Sequence, residues 1–163
     1  MIRAIFLDVD GTLISFSTHE IPASALRALA QAHERGVRLF IATGRAANDL
    51  GPLEGILYDG VVSLNGARCV ANDGRVVSLH PIPRADFERA LALSEEQGFA
   101  MGLELEEGVF VNRVTPDVER VAHMVAHPVP EQTDLRELFG RVECCQLCFY
   151  FDAETQRRVM AEL

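Results

Sequence analysis

Two carboxylates, Asp8 and Asp10, follow the apolar run Ile2 to Leu7 near the start of the sequence. Such a run is typical of a strand buried on both faces, and open parallel sheets bind ligands at the carboxyl ends of their strands. One carboxylate can attack phosphorus and hold a cation while the other moves a proton to and from the leaving oxygen. Gly11 allows close backbone approach, and Thr12 offers a hydroxyl and an amide to an anion. Taken alone, an Asp-x-Asp after a strand is more often just an acidic turn.

Polar residues also end the next two predicted strands. The run Val37–Ala42 leads into Thr43-Gly44-Arg45, and the run Gly60–Leu64 ends at Asn65-Gly66. We expect Asp8, Asp10 and Thr43 to meet at the carboxyl edge of one parallel sheet. Arg45 could contact substrate or a neighbouring module, or could begin a helix that faces solvent. Asn65 could line a cleft, although Asn-Gly is also a common turn pair.

The elements that must position these residues alternate between strand and helix in residues 1–81. Pro22 opens a helical pattern that ends at Gly36, and a short helix is predicted near residues 46–50. Asn72-Asp73-Gly74 marks a hairpin turn between two further strands, over 67–71 and 75–79. Alternating strands and helices imply right-handed crossovers and a parallel sheet, so we predict an α/β fold here.

A different order of elements begins after the prolines at 81 and 83, and residues 82–163 are predicted to form a separate α+β module around an antiparallel sheet. The predicted elements are a helix over 84–97, strands Phe99–Leu105 and Val109–Val114, a helix from Thr115-Pro116 to about Ala126, a short helix near 134–139, the strand Glu143–Phe151 and a helix over Glu154–Leu163.

The segment Asp8-Val9-Asp10-Gly11-Thr12-Leu13 resembles the first motif of the haloacid dehalogenase superfamily, whose members are Mg²⁺-dependent phosphatases that pass through an aspartyl-phosphate. Thr43-Gly44-Arg45 is similar to the second motif, and Ser63-Leu64-Asn65-Gly66-Ala67 resembles the Cof-type branch, which acts mostly on sugar phosphates and other small phosphometabolites. The resemblance implies the N-terminal part of a Rossmann-like core over residues 1–81 and an inserted α/β cap over 82–163.

The resemblance also implies roles for individual residues. Asp8 would be the nucleophile and a Mg²⁺ ligand, and Asp10 the general acid and base, with its backbone carbonyl on the metal. Thr43 and the Gly44 amide would bind the transferring phosphoryl group. Thr12, Arg45 and Asn65 complete the expected phosphate or substrate contacts. To act as an acid Asp10 must start protonated, so we expect burial or the charge on Asp8 to raise its pKa.

Two motifs of this family have no match in the sequence. The third motif is a Lys, sometimes an Arg, and the fourth is an acidic pair that completes the Mg²⁺ site. All 15 basic residues here are Arg, so the usual third-motif Lys is absent, and nothing after residue 81 matches the fourth motif. We therefore expect a chain that stops inside the cap, with weak Mg²⁺ affinity and little activity alone. A catalytically incomplete remnant or fragment that binds phosphate or a partner protein, a phosphosugar mutase, and a site completed by another polypeptide remain alternatives.

Composition excludes several other classes of function. The 163 residues are 48% hydrophobic and carry a net charge of −9, a balance typical of a globular protein rather than a disordered one. The negative charge argues against nucleic acid or an anionic membrane as partner. No apolar run is long enough to span a membrane, and the N-terminus does not resemble a signal peptide. We predict a cytoplasmic protein whose partner is a small phosphorylated metabolite, with an undetermined oligomeric state.

Cysteine and histidine pairs offer weaker alternatives. Cys145-x-x-Cys148 has the spacing of a redox pair, with Cys144 beside it, but it falls in a predicted strand rather than at a helix N-terminus, which favours packing. His123 and His127 are four residues apart, yet no Glu lies between them as in a zinc protease, and Pro128 follows at once. We therefore expect neither pair to bind metal or carry redox chemistry.

Overall fold

A computed structural model describes residues 2–53, 55–125 and 127–161. The chain divides into two compact units, Met1–His80 and Pro81–Leu163. Each has its own sheet and its own core. They are called the N-terminal unit and the C-terminal unit below.

The N-terminal unit contains a five-stranded sheet in the order β1-β2-β3-β4-β5. Strands β1 to β3 are parallel, and β4 and β5 continue the sheet as an antiparallel hairpin. This confirms the predicted α/β fold. The elements are β1 (Ala4–Leu7), α1 (Ala23–Glu34), β2 (Arg38–Ala42), a 3₁₀ turn (Gly51–Leu53), β3 (Gly60–Ser63), a second 3₁₀ turn (Leu64–Gly66), β4 (Arg68–Ala71) and β5 (Val76–Leu79).

The predicted short helix near residues 46–50 is wrong, because this stretch forms turns that lead into the 3₁₀ turn Gly51–Leu53. The main-chain hydrogen bonding shows the difference. The Ala46 carbonyl accepts the amide of Asp49 at 3.1 Å, which is the bond of a tight turn rather than the i to i+4 bond of an α-helix. The Asp49 carbonyl in turn accepts a hydrogen bond from the Arg45 guanidinium at 3.1 Å.

The two faces of the N-terminal sheet differ in burial. On one face Ile41 and Val61 are buried together with Val9, and Leu26 and Leu29 of α1 pack against this cluster. The other face carries Phe6, which stacks on Phe40 with ring centroids 4.9 Å apart and is still 61% exposed. Val77 of β5 is 60% exposed and lines a groove with the two rings. The prediction that the first strand is buried on both faces is therefore wrong, since an apolar run does not specify which element covers each face.

The C-terminal unit contains a four-stranded sheet in the order β8-β7-β6-β9. Strand β6 is antiparallel to β7 and to β9, whereas β8 runs parallel to β7, so the sheet is mixed rather than antiparallel as predicted. The elements are α2 (Arg84–Gln97), β6 (Ala100–Leu105), β7 (Gly108–Val111), α3 (Pro116–Met124), β8 (Glu131–Gln132), α4 (Leu135–Phe139), β9 (Gln146–Tyr150) and α5 (Ala153–Val159).

Side-chain and glycine caps define the helix ends of this unit. Gly98 ends α2 in a left-handed conformation with φ of 78°, and the Thr115 hydroxyl accepts the Val118 amide at the start of α3. Asp152 caps α5 by accepting the Thr155 amide at 2.7 Å. Helix α3 ends at Met124 and α5 at Val159, while Ala126, Glu162 and Leu163 of the predicted helices lie outside the described residues.

Helices cover both faces of the C-terminal sheet. Phe87 and Leu91 of α2 pack with Met101 and Leu103 of β6 on one face. On the other face Val118 of α3 packs in a cluster with Ala100, Val111 and Tyr150. Among the described residues, no helix is long and apolar enough to cross a membrane.

Two cysteines of the C-terminal unit pack in its interior, Cys144 in the cluster around Phe87 and Cys148 against the cluster around Val118. Burial raises the pKa of the Cys144 thiol to about 11 and that of Cys148 to about 12. A redox or metal-binding cysteine needs an accessible thiolate, so the raised values agree with the packing interpretation. Within the described ranges, no three His, Cys, Asp or Glu residues are grouped so that they could hold a metal ion.

Gly60 provides a test of the sheet geometry. A Cβ at this position of β3 would lie 2.8 Å from the main-chain oxygen of Val70 on β4, a contact that only a shift of backbone can relieve. We expect Gly60→Ala to lower the free energy of unfolding by about 1–3 kcal/mol, measured by urea denaturation. Gly51→Ala is the control, because a Cβ at Gly51 would meet no heavy atom of the described residues within 4 Å. Equal stability of the two variants would contradict the strand pairing described here.

Candidate active site

The turn after β1 presents the two predicted carboxylates. Val9 lies between them and is fully buried in the core, whereas Asp8 and Asp10 on either side are exposed. The Val9 carbonyl accepts the amide of Ile14 at 2.9 Å, which closes the turn. The Thr12 hydroxyl donates to Asp8 Oδ2 at 2.9 Å. Burial of one apolar side chain thus fixes two neighbouring acids at the end of the strand.

Gly11 is required by the shape of this turn. Its φ is 76°, in the left-handed region that side chains rarely adopt, whereas the Phe16 ring that a Cβ would meet is exposed and can move. The glycine in Asp-x-Asp-Gly therefore has a conformational role.

Thr43 follows β2 directly and is only 6% exposed. Its amide donates to the Val62 carbonyl of β3 at 2.9 Å, and its Oγ1 accepts the amide of Arg45 at 3.1 Å. These bonds fix both the backbone and the hydroxyl of Thr43 at the sheet edge.

One pocket joins the ends of the three parallel strands. It has a volume of about 310 Å³ and brings together Asp8, Thr43, Gly44 and Asn65, with Ala42, Val62 and Gly66 completing its lining. Four residues from three separate motifs therefore share one pocket. Thr12 contacts this pocket through Asp8, whereas Asp10 and Arg45 contact each other.

Asn65 reaches this pocket from an unusual backbone conformation. Leu64 and Asn65 have φ of 49° and 54°, both in the left-handed region, and the Asn65 amide donates to the Thr43 carbonyl at 3.2 Å. A Cβ on Gly44 would lie 3.1 Å from Asn65 Oδ1, so the side-chain amide lies directly against the Gly44 backbone. Both interpretations made from the sequence describe this residue, since it is part of a turn and it lines the pocket.

Arg45 forms a pair that the sequence analysis did not predict. Its Nε donates to Asp10 Oδ2 at 2.9 Å and its Nη2 donates to Asp10 Oδ1 at 2.7 Å, while Nη1 contacts Asp49. Arg45 therefore does not begin a helix. Its contact with substrate stays a prediction. The sequence offers a signal only for the Arg45–Asp49 contact, because oppositely charged residues four positions apart often pair.

The pair also reverses the expected electrostatics of Asp10. Hydrogen bonds from Arg45 hold the pKa of the Asp10 carboxyl below its ordinary value, against a smaller effect of burial. The same hydrogen bonds raise the pKa of Arg45. The expectation of a raised Asp10 pKa is wrong here, because the hydrogen bonds from Arg45 outweigh the effect of burial. The pair could not be predicted from the sequence, because 35 residues separate its two partners and only the fold brings them together.

The donors at this edge suit a hard cation. Mg²⁺ prefers oxygen ligands and is commonly held through one or two carboxylates while it keeps several waters. The Asp8 carboxylate and the Asp10 main-chain carbonyl are oxygens of this kind. These two oxygens fit part of a Mg²⁺ ligand set, and the described residues contain no group of three His, Cys, Asp or Glu side chains that could hold a metal ion.

The stability contributed by the Asp10–Arg45 pair should depend on pH. Because the pKa of Asp10 is depressed in the folded state, the pair stabilises the fold above the ordinary value of 3.8, and this stability is lost as pH falls through the lower folded-state pKa. We expect Arg45→Gln to lower the free energy of unfolding by about 0.5–1 kcal/mol at pH 7, since both groups are partly exposed. The deficit should shrink when urea denaturation is repeated near pH 3. Arg27→Gln, on the exposed side of α1, serves as the control, and a deficit that is the same at both pH values would contradict the pairing.

Two variants separate the backbone role of Asn65 from that of its amide. Gly adopts the left-handed conformation freely, whereas Ala does so at a cost of about 1 kcal/mol. We expect Asn65→Gly to change the free energy of unfolding by less than about 0.5 kcal/mol and Asn65→Ala to lower it by about 1 kcal/mol. If both variants lose the same stability, the amide contacts rather than the backbone conformation fix this turn.

Comparisons with known proteins agree with this geometry. The sequence model of the family described as haloacid dehalogenase-like hydrolase matches residues 5–163. The solved structure of the phosphatase BT1666 from Bacteroides thetaiotaomicron, of the same superfamily, is 53% identical with a TM-score of 0.94 and matches 100% of this chain. The subclass IIB sugar phosphatase BT4131 is 29% identical over 98% of the chain, with a TM-score of 0.82.

A curated relative from Bacillus subtilis (strain 168), named "Putative phosphatase YkrA", is 30% identical over 95 residues, or 58% of this chain. The chain spans 36% of the length of that protein, and 61% and 62% of the lengths of the two phosphatase structures. With the family match extending over both units, and with Asp8, Thr43, Gly44 and Asn65 gathered in one pocket, the chain belongs to the haloacid dehalogenase-like hydrolases.

Proposed function

We propose that this chain carries the phosphate-binding and nucleophile-bearing part of a Mg²⁺-dependent phosphomonoester hydrolase that acts on small phosphometabolites such as sugar phosphates. The observation that supports this most directly is the pocket shared by Asp8, Thr43, Gly44 and Asn65. The similarity to BT4131, which is described as a sugar phosphatase, supports the substrate class.

The proposed reaction starts at Asp8. Its carboxylate attacks the phosphorus atom, an Asp8 oxygen–phosphorus bond forms, and the bond from phosphorus to the ester oxygen breaks. Asp10 must first take up a proton, because its pKa is lowered while it is paired with Arg45, and it then gives that proton to the leaving oxygen. Water next attacks phosphorus with Asp10 as the base, and the bond between phosphorus and the Asp8 oxygen breaks. The exposure of Asp8 and the Thr12 hydroxyl bond that orients it suit this role.

Thr43 and Gly44 are proposed to bind the phosphoryl oxygens. Hydroxyl and amide donors that are held before the substrate arrives stabilise the charge on these oxygens in the transition state. The low exposure of Thr43 and its two hydrogen bonds favour such a fixed position. A Mg²⁺ ion held by Asp8 and the Asp10 carbonyl would add charge neutralisation at the same oxygens.

Substrate selection is proposed to fall to the C-terminal unit. On this proposal residues 82–163 are the cap, or part of it, and residues 1–81 the catalytic core. A phosphosugar mutase, which the sequence analysis kept open, would share the aspartyl-phosphate step. The cytoplasmic location and the absence of nucleic-acid and membrane partners stay predictions.

Binding of phosphate without turnover is the second candidate function for these 163 residues. Their sequence contains no Lys, and the described residues contain no group of three His, Cys, Asp or Glu that could hold a metal ion. Removal of one charge-stabilising donor typically costs a factor of about 10²–10³ in rate. We therefore expect the isolated chain to be a slow enzyme.

Hydrolysis of p-nitrophenyl phosphate with Mg²⁺ tests the proposal. Whatever turnover the chain shows should fall to the buffer rate in Asp8→Asn and by a factor of about 10²–10⁴ in Asp10→Asn. Asp73→Asn is the matched control, because this acid accepts the Arg75 amide in the turn between β4 and β5. Turnover indifferent to Asp8 would refute the hydrolase proposal, and Thr43-dependent phosphate binding without turnover would establish the second candidate.

A further inference from the structure

The Arg45–Asp10 pair occupies the carboxylate that the proposed reaction needs. Both Asp10 oxygens accept from the guanidinium, at 2.9 Å from Nε and 2.7 Å from Nη2. A carboxyl group that donates to a leaving oxygen must release at least one of these bonds. The observed pairing is therefore a resting arrangement of Asp10, and something must open it during turnover.

The backbone of Arg45 lies beside the pocket, while its side chain is turned to Asp10 and Asp49. Its amide is bonded to the Thr43 hydroxyl, and the Leu64 amide donates to its carbonyl at 3.1 Å, so its backbone is tied to two of the three strand ends at the pocket. Its side chain is 26% exposed, which leaves the guanidinium accessible at the surface. The guanidinium fork fits a carboxylate and a phosphate equally in shape, and a phosphate dianion carries more charge.

Asp49 supplies a fixed point for such an exchange. Its main-chain oxygen accepts Arg45 Nη1 at 3.1 Å, and its carboxylate Oδ2 lies 3.8 Å from the same nitrogen. The atoms Nε and Nη2 can therefore change partner while Nη1 stays bound. A guanidinium held at one nitrogen loses less conformational entropy when it exchanges the other two contacts.

We propose that Arg45 is a positioning residue that holds Asp10 in the absence of substrate and exchanges it for the phosphate oxygens when substrate binds. Phosphate binding then frees the Asp10 carboxyl at the moment it is needed. This inference rests on the proposed function, since it requires that the pocket beside Thr43 binds phosphate. It goes further by making Asp10 and phosphate competitors for one side chain.

A double-mutant cycle with inorganic phosphate as the probe tests the exchange. Dissociation constants are measured by titration calorimetry for the full chain and for Asp10→Ala, Arg45→Ala and the double variant, with Asp10→Asn as the isosteric check. We expect removal of Asp10 to tighten phosphate binding at least about fivefold when Arg45 is present, within the usual range of coupling between sites. When Arg45 is absent the same removal should give a smaller gain, that of relieving the direct repulsion between Asp10 and phosphate alone.

A charge control and a spectroscopic readout complete the design. Asp49→Asn removes a negative charge near Arg45 but keeps the main-chain contact, and it should change phosphate affinity less than about twofold if the bidentate pair is what matters. In ¹⁵N-arginine-labelled protein, the Nε signal that disappears in Arg45→Lys should shift as phosphate is added. Circular dichroism establishes that each variant is folded.

The outcomes separate this inference from the proposed function. An equal gain from Asp10→Ala with and without Arg45, or an Arg45 signal that does not move at saturating phosphate, overturns the exchange. If phosphate affinity in that case still depends on Thr43, the proposed function survives alone. Phosphate binding that is indifferent to Thr43→Ala and Asp8→Asn, or no binding by any folded variant, overturns both.

Discussion

Parallel hydrogen bonding between β1, β2 and β3 is the interaction on which the rest of the N-terminal unit depends. Leu7 lies opposite Ile41 and Ala42 lies opposite Val62, so the three strands end within a residue or two of one another. The backbone bonds of Thr43 to Val62 and of Asn65 to Thr43 extend this register beyond the strands. A slip of one residue would turn alternate side chains to the opposite face and scatter the pocket.

The sequence predicted best those features that depend on local chemistry. Helix α2 runs over the predicted residues because Pro83 precedes it and Gly98 stops it. The Asp8 turn and the polar strand ends were also expected, since their residue types are selected by their neighbours in the chain. Strand β8 was missed because Glu131 and Gln132 have no apolar pattern, and only their pairing with Phe110 and Val111 makes them a strand.

Features that depend on contacts between distant segments could not be predicted in the same way. The Arg45–Asp10 pair joins the ends of two strands, and no spacing rule connects their positions. The direction of the Asp10 pKa shift follows from that pair, so an argument from burial and from Asp8 alone gave the opposite sign. The exposed face around Phe6 is a third case, because an apolar strand has the same composition whether one face or both are covered.

That exposed face changes how a common folding assay must be interpreted. Phe6 and Val77 offer apolar surface beside the Phe40 ring in the native N-terminal unit. The dye ANS fluoresces on such surfaces, and its fluorescence is ordinarily taken as a sign of a loosened, molten state. The folded sheet of this chain already exposes apolar surface of the kind that ANS binds. A bright ANS signal is therefore compatible with native packing, and loss of tertiary order has to be followed by near-ultraviolet circular dichroism or by NMR.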